Sequence, residues 1–316
     1  MAAHSLYPPL EPYDHGFLPI DGEHAVYYEQ CGNPDGKPAI FVHGGPGGGG
    51  DTGARRFFDP ERYRIIVFDQ RGAGRSRPEA SLVDNTTAHL IADMERLRQQ
   101  LAIDQWLVFG GSWGSTLSLA YAQAHPAAVS ELVIRGIFLL RRKELTWFYQ
   151  HGASVLFPDQ WERFLAPIPA DERDDLLSAY HRRLTGENEK VMREAARAWS
   201  YWEGATCHLL PDPAKTLPFE QTKFAIALAR IEAHYFVNGG FFENENQLLK
   251  DVDRIRHIPA VIVQGRYDVV CPMESAWELA SRWPEAEFRV VDNAGHSAYE
   301  PGITQELIST TDGYSE

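Results

Sequence analysis

Short runs of apolar residues recur along the chain and are separated by longer, helix-like segments. The runs lie at 38–42, 64–68, 106–109, 131–134, 260–263 and 288–291 and lack an apolar–polar alternation. Such runs are typical of strands buried on both faces of a parallel sheet. Between two of them, residues 86–101 carry apolar side chains at helical spacing, with Thr86 or Thr87 as the expected N-cap. The alternation predicts an α/β fold with a mostly parallel, doubly wound sheet.

The strand pattern stops at about residue 141 and resumes at 259–263. The stretch between has helical patterns and holds four of the eight tryptophans: Trp147, Trp161, Trp199 and Trp202. An all-helical insertion into a sheet domain is the simplest interpretation. We therefore expect a sheet domain of residues 1–140 and 251–316 and an inserted helical cap domain over 141–250.

Composition and charge narrow the class of protein. The 316 residues are 44% hydrophobic and 12% aromatic and carry a net charge of −14. This composition argues against disorder, and the negative charge argues against nucleic acid or an anionic membrane as a partner. No apolar run approaches the ~20 residues of a membrane span, and the N-terminus lacks the apolar region of a secretory signal. The three cysteines are widely spaced and have no metal-type cluster around them, so reduced thiols in a cytoplasmic protein are expected.

The strongest chemical signal is the segment Gly110-Gly111-Ser112-Trp113-Gly114. It directly follows the apolar run 106–109 and precedes a helical pattern. In that context G-x-S-x-G predicts a sharp strand-to-helix turn that exposes a nucleophilic serine, Ser112, at the carboxyl edge of the sheet. Glycines are needed there because side chains would clash in the turn. An ordinary turn rich in small residues is the alternative.

A second glycine-rich loop, His43-Gly44-Gly45-Pro46-Gly47, follows the apolar run 38–42. Such a loop can direct backbone N–H groups at a developing oxyanion. We expect the N–H groups of Gly45 and Trp113 to be the donors, and His43 to order the loop. A phosphate-binding loop is the competing interpretation, but the P-loop lysine and the G-x-G-x-x-G spacing are missing.

A nucleophilic serine needs a histidine base, and the base needs an orienting carboxylate. With this type of serine turn the chain order is serine, then acid, then histidine. His296 follows the last apolar run, and Asp268 follows the run 260–263. Asp292 is the rival acid, but its place four residues before His296 favours a strand end. The predicted triad is therefore Ser112, Asp268 and His296.

The segment 69–76, DQRGAGRS, follows the apolar run 64–68. Its glycines and charged residues indicate a tight turn pinned by Asp69 and Arg71. A structural role is the favoured interpretation.

Taken together, five motifs give the chain a family resemblance: HGGPGGG, DQRGAGRS, GGSWGS, GRYDVVCP and NAGHS. The chain resembles the prolyl aminopeptidases, also called proline iminopeptidases, of the α/β-hydrolase superfamily. The insert segments TWFYQHGA, SYWEG and RIEAHYF resemble the longer bacterial type. The resemblance implies the α/β-hydrolase fold and a cofactor-free, metal-free serine exopeptidase that removes an N-terminal proline from peptides.

The resemblance also implies how the substrate is recognised. Two glutamates of the cap, Glu203 in SYWEG and Glu232 in RIEAHYF, would bind the free amine. The proline ring would pack against an aromatic wall, with Arg135 as a further pocket candidate; the wall residues are Phe138, Tyr149 and Phe236.

Helical spacing, independently of the resemblance, places both glutamates on apolar faces of predicted helices. Phe224, Leu228, Glu232 and Phe236 recur every four residues, so Glu232 lies within an apolar stripe. Glu203 lies four residues after Trp199 and one after Trp202. A carboxylate on an apolar face needs a partner because burying it unpaired costs several kcal/mol. Arginines such as Arg197 and Arg230 are the alternative partners.

Other functions stay open at this stage. An esterase or C–C bond hydrolase could use the same triad, although its acyl pocket would not favour two carboxylates. A non-catalytic ligand receptor could retain the fold. The sequence leaves peptide length preference and assembly into a homo-oligomer open.

Overall fold

The computed structural model describes residues 5–315; the terminal residues 1–4 and 316 of the predicted sheet domain lie outside the described residues. All six predicted apolar runs form strands, and two further strands precede them. In chain order the strands are β1 (Asp14–Pro19), β2 (Ala25–Gly32), β3 (Lys37–Val42), β4 (Tyr63–Phe68), β5 (Trp106–Ser112), β6 (Val129–Ile137), β7 (Ala260–Gly265) and β8 (Glu287–Val291).

Within the described residues the eight strands form one sheet in the order β1-β2-β4-β3-β5-β6-β7-β8. Strands β3 to β8 are parallel, whereas β1 and β2 add antiparallel pairs at one edge. The chain passes from β3 to β4 on one side and then returns to place β5 on the other side of β3. The carboxyl ends of β3 and β5 are therefore neighbours at a reversal of strand order, where α/β sheets bind ligands.

Helices connect the strands, and every described element between β6 and β7 is helical. The α-helices are α1 (Thr87–Gln100), α2 (Trp113–Ala124), α3 (Arg142–Tyr149), α4 (Ala153–Leu156), α5 (Pro158–Leu165), α6 (Leu176–Thr185), α7 (Glu189–Thr206), α8 (Pro213–Thr216), α9 (Thr222–Val237), α10 (Gln247–Lys250), α11 (Met273–Arg282) and α12 (Pro301–Tyr314). Short 3-10 helices cover Ala54–Phe57, Pro126–Ala128, Ala170–Asp175, Leu217–Glu220, Gly239–Phe241 and Asp251–Arg254. The expected cap of α1 is present, since Thr86 Oγ1 accepts the N–H of His89. None of the helices in the described range is both long and apolar enough to cross a membrane.

The sheet separates two apolar cores. Ile66 and Phe68 of β4 face the core that also contains α1, α2 and the helical segment. Ile65 and Val67 of the same strand face the other core, which contains Phe57, Phe58 and side chains of α12. Burial on both faces explains why the central strands are uniformly apolar.

A buried ion pair ties the loop after β4 to α1. The guanidinium of Arg71 donates from Nε to Asp93 Oδ2 at 2.6 Å and from Nη2 to Asp93 Oδ1 at 2.7 Å. The two side chains are 0% and 3% exposed. Asp69 stabilises the same loop, because its carboxylate accepts hydrogen bonds from the backbone N–H groups of Gly50 and Arg75. Asp69 therefore pins the turn as predicted, while Arg71 anchors it to the neighbouring helix.

Replacing Asp93 with Asn is expected to destabilise the fold by about 3–5 kcal/mol, because it removes the buried counter-ion of Arg71. The exposed carboxylate of Asp21, 3.8 Å from Arg71 Nη2, is the only one that remains among the described ion pairs of Arg71. The matched control is Glu189→Gln, which breaks the exposed pair between Glu189 and Arg193 at 2.8 Å and should cost at most about 0.5 kcal/mol. Urea unfolding measures both values. Equal small losses in the two variants would show that the buried pair is not an anchor.

Candidate active site

Ser112 lies at the junction of β5 and α2 in a strained backbone conformation. Its φ of 58° and ψ of −130° are unusual for a residue with a side chain. A Cβ at Gly110 would lie 2.4 Å from the carbonyl oxygen of Gly114, and one at Gly114 would lie 2.2 Å from that of Val42. Glycine at both positions therefore permits the close backbone approach that the sequence pattern predicts.

Asp268 and His296 lie side by side after the adjacent strands β7 and β8. His296 Nδ1 is 2.8 Å from Asp268 Oδ2, and both residues are buried. The backbone N–H of Cys271 donates to Asp268 Oδ1 at 2.8 Å. With Nδ1 facing the carboxylate, Nε2 of His296 is the nitrogen left for a serine. Ser112 and His296 line the same cavity.

The imidazole of His296 lies against the end of β6, the strand between β5, which carries Ser112, and β7, which Asp268 follows. A Cβ at Gly136 would lie 3.1 Å from His296 Cε1, and Gly136 has a φ of +53°. Arg135 donates from Nη1 to the backbone carbonyl of His296 at 2.7 Å and also lines the cavity. Gly136 at the end of β6 thus leaves room for the imidazole ring, and Arg135 fixes the backbone of His296.

Asp292 has a different environment from Asp268. Its side chain is 82% exposed and forms a salt bridge with Arg266 at 3.1 Å. Its partner is therefore a surface arginine, which agrees with the preference for Asp268.

The loop after β3 lies against the serine. A Cβ at Gly44 would lie 3.4 Å from Ser112 Cβ and 3.9 Å from its Oγ. Gly45 lines the cavity and has a φ of +110°. Trp113 is the first residue of α2, so its backbone N–H has no acceptor within the helix. These positions are compatible with the predicted oxyanion donors, Gly45 and Trp113.

A buried chain of hydrogen bonds connects the two loops through Gln70. The N–H of Gln70 donates to His43 Nε2 at 2.9 Å, and its side-chain amide donates to the His43 carbonyl at 2.8 Å. The indole N–H of Trp113 donates to Gln70 Oε1 at 2.9 Å. Burial lowers the pKa of His43, so the ring is neutral and accepts at Nε2. His43 therefore orders the loop, as expected, and Gln70 is a partner that the motif analysis missed.

The cavity above Ser112 has a volume of about 680 Å³ and lies between the sheet loops and the helical segment. Its wall includes all three predicted aromatic residues, Phe138, Tyr149 and Phe236, each at most 8% exposed. Phe236 packs against Phe138 and Tyr149 at centroid distances of 5.6 and 5.5 Å. The arrangement provides an apolar surface for a small ring.

Glu203 of α7 and Glu232 of α9 both line this cavity. Trp199 donates its indole N–H to Glu232 Oε2 at 2.5 Å, and the Tyr149 hydroxyl donates to Glu203 Oε1. Burial raises the pKa of Glu203 to about 7. Burial, together with the negative charge of Glu203, raises the pKa of Glu232 well above its usual value. Trp199 had no predicted role, although its helical spacing from Glu203 placed it on this face.

The arginines considered as alternative partners bind elsewhere. Arg197 donates to Thr222 Oγ1, and Arg230 donates to the backbone carbonyls of Leu184 and Ala80. Across residues 5–315, neither glutamate forms a salt bridge with a lysine, arginine or histidine. The cavity therefore presents two carboxyl groups that form no salt bridge with a cation of the described chain.

Other groups at the cavity do not suggest a second nucleophile or a metal centre. Cys207 and Cys271 line it, but burial raises the pKa of both thiols, that of Cys207 to about 12. Such thiols are protonated and weakly reactive. The described residues contain no group of three or more His, Cys, Asp or Glu side chains arranged to hold a metal ion.

Comparison with known proteins finds relatives whose sequences match most of this chain. Residues 37–302 match the α/β hydrolase fold family. The chain is 59% identical to a proline iminopeptidase of Xylella fastidiosa over 98% of this chain and 99% of that one. It is 56% identical to a proline iminopeptidase of Arabidopsis thaliana, over 96% of this chain and 80% of that one. Identity to a proline iminopeptidase of Neisseria gonorrhoeae is 48%, over 97% and 98% of the two chains.

Solved structures agree on the fold. An esterase from Exiguobacterium antarcticum superposes with a TM-score of 0.63 at 19% identity, covering 95% of this chain and 98% of that one. The likeness at this identity concerns the fold alone. The family match and the full-length relatives show that the chain belongs to the α/β hydrolase fold family and, within it, to the proline iminopeptidases.

Proposed function

We propose that the chain is a serine exopeptidase that releases N-terminal proline from peptides through Ser112, His296 and Asp268. The observation that carries this proposal is the pair Glu203 and Glu232, which face the serine's cavity and form no salt bridge within residues 5–315. A substrate ammonium supplies the cationic partner. The full-length proline iminopeptidase relatives support the same activity.

The helices of residues 141–250 serve as a substrate-recognition cap over the sheet domain of residues 1–140 and 251–316. The proline ring packs against Phe138, Tyr149 and Phe236, and its ammonium binds Glu203 and Glu232. The cap closes the space beyond the amine, so no residue can precede the proline. Exopeptidase behaviour follows from this closed end and from the requirement for positive charge.

The chemistry proceeds by acyl transfer. His296 Nε2 takes the proton of Ser112 as Oγ attacks the carbonyl carbon of the proline. The N–H groups of Gly45 and Trp113 bind the developing oxyanion, a contribution of about 3–4 kcal/mol for each donor. His296 then gives the proton to the leaving amine. Water, activated by the same imidazole, hydrolyses the prolyl ester and restores Ser112.

We also propose that the enzyme acts in the cytoplasm on free peptides. The three cysteines, Cys31, Cys207 and Cys271, are all unpaired. Unpaired, buried thiols are typical of proteins in a reducing compartment.

The variant Ser112→Ala should fold and lose hydrolysis of proline 4-nitroanilide by about 10³-fold or more, because the nucleophile is removed while the binding surfaces remain. Initial rates and thermal unfolding check the two parts of this prediction. A variant that keeps more than a tenth of the wild-type kcat would contradict the assignment of Ser112.

Replacing Glu203 or Glu232 with Gln keeps the shape of each side chain and removes its charge. Losing one partner of a buried charge pair costs about 2–5 kcal/mol, so kcat/KM for proline 4-nitroanilide should fall by about 30-fold to several thousand-fold. Hydrolysis of 4-nitrophenyl acetate, a neutral ester that needs only the triad, should fall much less. The control Glu194→Gln changes an exposed glutamate of α7 and should leave both rates unchanged.

N-acetylation of the proline substrate removes the ammonium and should abolish turnover by the wild type. In the double variant Glu203→Gln/Glu232→Gln, acetylation of the substrate should cause little loss of activity beyond the loss that the two substitutions already cause. Equal losses on amide and ester in the single variants would instead mean that the glutamates only support the fold of the cap.

The pH profile should separate amine recognition from the triad. The pKa of Glu203 is raised to about 7, so this carboxyl becomes protonated and neutral as the pH falls through that value. A neutral acid cannot balance the substrate ammonium, and kcat/KM for proline 4-nitroanilide should therefore decline below about pH 7. Glu203→Gln should remove the part of the acid limb that this carboxyl contributes, whereas Glu232, whose pKa is also raised, continues to titrate. The ester should show neither part. Identical acid limbs for amide and ester in the wild type would refute the assignment.

A further inference from the structure

Trp199 is fully buried in α7, behind the glutamates and outside the cavity wall. Its indole N–H has a carboxylate acceptor, Oε2 of Glu232 on the facing helix α9, at 2.5 Å. The bond fixes one of the two oxygens of Glu232. Oε1 has no donor among the described side chains and backbone groups and is therefore the oxygen available to a ligand.

The ring face of Trp199 supports the second glutamate through Tyr149. The two rings stack with centroids 4.3 Å apart and an interplanar angle of 17°. Burial raises the pKa of Tyr149 well above its usual value, so the hydroxyl keeps its proton and donates to Glu203 Oε1. This leaves Oε2 of Glu203 as the second oxygen without a protein donor in the described part of the chain. One indole thus contacts one glutamate directly and the other through a stacked phenol.

The number of open oxygens matches the chemistry of proline. The ammonium of an N-terminal proline is a secondary amine and carries two N–H donors, whereas other residues carry three. Two open carboxylate oxygens accept both donors of proline. A primary ammonium in the same place leaves one donor unpaired, and a desolvated unpaired donor is costly.

We propose that Trp199 is a positioning residue for amine recognition: its N–H holds Glu232 so that one oxygen faces the substrate, and its stacked ring holds Tyr149 against Glu203. The inference rests on the proposed function and assigns a role to a residue that does not touch the substrate.

Removing the N–H has a defined electrostatic effect. A hydrogen bond donated to a carboxylate favours its charged form. Without the indole donor, Glu232 keeps its proton to higher pH and is free to turn. The other ionisable groups of the cavity wall come from both sides. Those of the helical segment are Glu144, Tyr149, Glu203, Cys207, His208 and Lys215, and those of the sheet side are His43, Asp51, Arg135, Cys271, His296 and Tyr299. None of these groups donates to Glu232, so they do not replace the lost bond.

The test compares Trp199→Phe with Trp202→Phe. Trp202 is equally buried in the same helix, but its indole N–H donates to the backbone carbonyl of Phe148 at 3.1 Å instead of to a glutamate. Both variants lose an indole from the same core and should lose similar thermal stability. Incorporation of 3-benzothienylalanine at position 199 provides a second variant, which keeps the ring shape and removes only the N–H.

For Trp199→Phe and the benzothienyl variant, KM for proline 4-nitroanilide should rise about tenfold or more, with kcat within about threefold, because the lost interaction is made in both the ground and transition states. The part of the acid limb of kcat/KM that Glu232 contributes should move about one unit to higher pH, because this carboxyl loses the donor that favours its charged form. Trp202→Phe should change KM by less than about threefold. Hydrolysis of 4-nitrophenyl acetate should stay within about threefold of wild type in all variants.

The selectivity for proline supplies a further readout. The ratio of kcat/KM for proline 4-nitroanilide to that for alanine 4-nitroanilide should fall in the two Trp199 variants and stay constant in Trp202→Phe. The inference is overturned if both tryptophan variants change KM equally, if the acid limb does not move, or if ester and amide hydrolysis decline together. A wild-type enzyme that cleaves N-acetylproline 4-nitroanilide as well as the free amine would instead overturn the proposed function.

Discussion

The carboxyl ends of β3 and β5 and the start of α2 approach one another more closely than side chains would permit. The glycines at 110 and 114 make this possible, and a Cβ at position 114 would lie 2.2 Å from the carbonyl oxygen of Val42. The same approach places Ser112 next to the loop that begins at His43. A serine in an unfavourable backbone conformation is thus held by the packing of the sheet around it, a common feature of functional sites. The positions of the nucleophile and of the proposed oxyanion donors both depend on it.

The cap contributes two acidic side chains for which the described part of the protein supplies no salt-bridge partner. Glu203 and Glu232 each have a neutral donor, Tyr149 and Trp199, but no salt bridge within the described residues. Neutral donors orient a carboxylate without cancelling its charge, which keeps the attraction for a ligand cation. An arginine in place of either donor would satisfy the glutamate and remove the reason to bind an ammonium. Arg197 and Arg230 lie on the same helices and are directed to other acceptors.

The sequence predicted the six parallel strands and the three triad positions because both predictions depend on local pattern. Buried parallel strands are continuous apolar runs, and Asp268 and His296 follow two of them directly. The strands β1 and β2 were missed because neither is a continuous apolar run: exposed positions alternate along β1, and β2 contains Glu29 and Gln30. Gln70 and Trp199 were missed for a different reason. Their partners, Trp113 and Glu232, lie 43 and 33 residues away, and no local spacing indicates such contacts.

The hydrogen-bond chain from His43 through Gln70 to the Trp113 side chain fixes the two loops beside Ser112 relative to each other. In water, dipoles must turn to meet a charge as it forms, and that turning is a large part of the barrier to acyl transfer. In the folded chain the N–H dipoles of these two loops are oriented before a substrate binds, because buried hydrogen bonds hold both loops in place. If these N–H groups are the oxyanion donors that we propose, a peptide hydrolysed at this site requires less reorganisation of dipoles than a peptide hydrolysed in water.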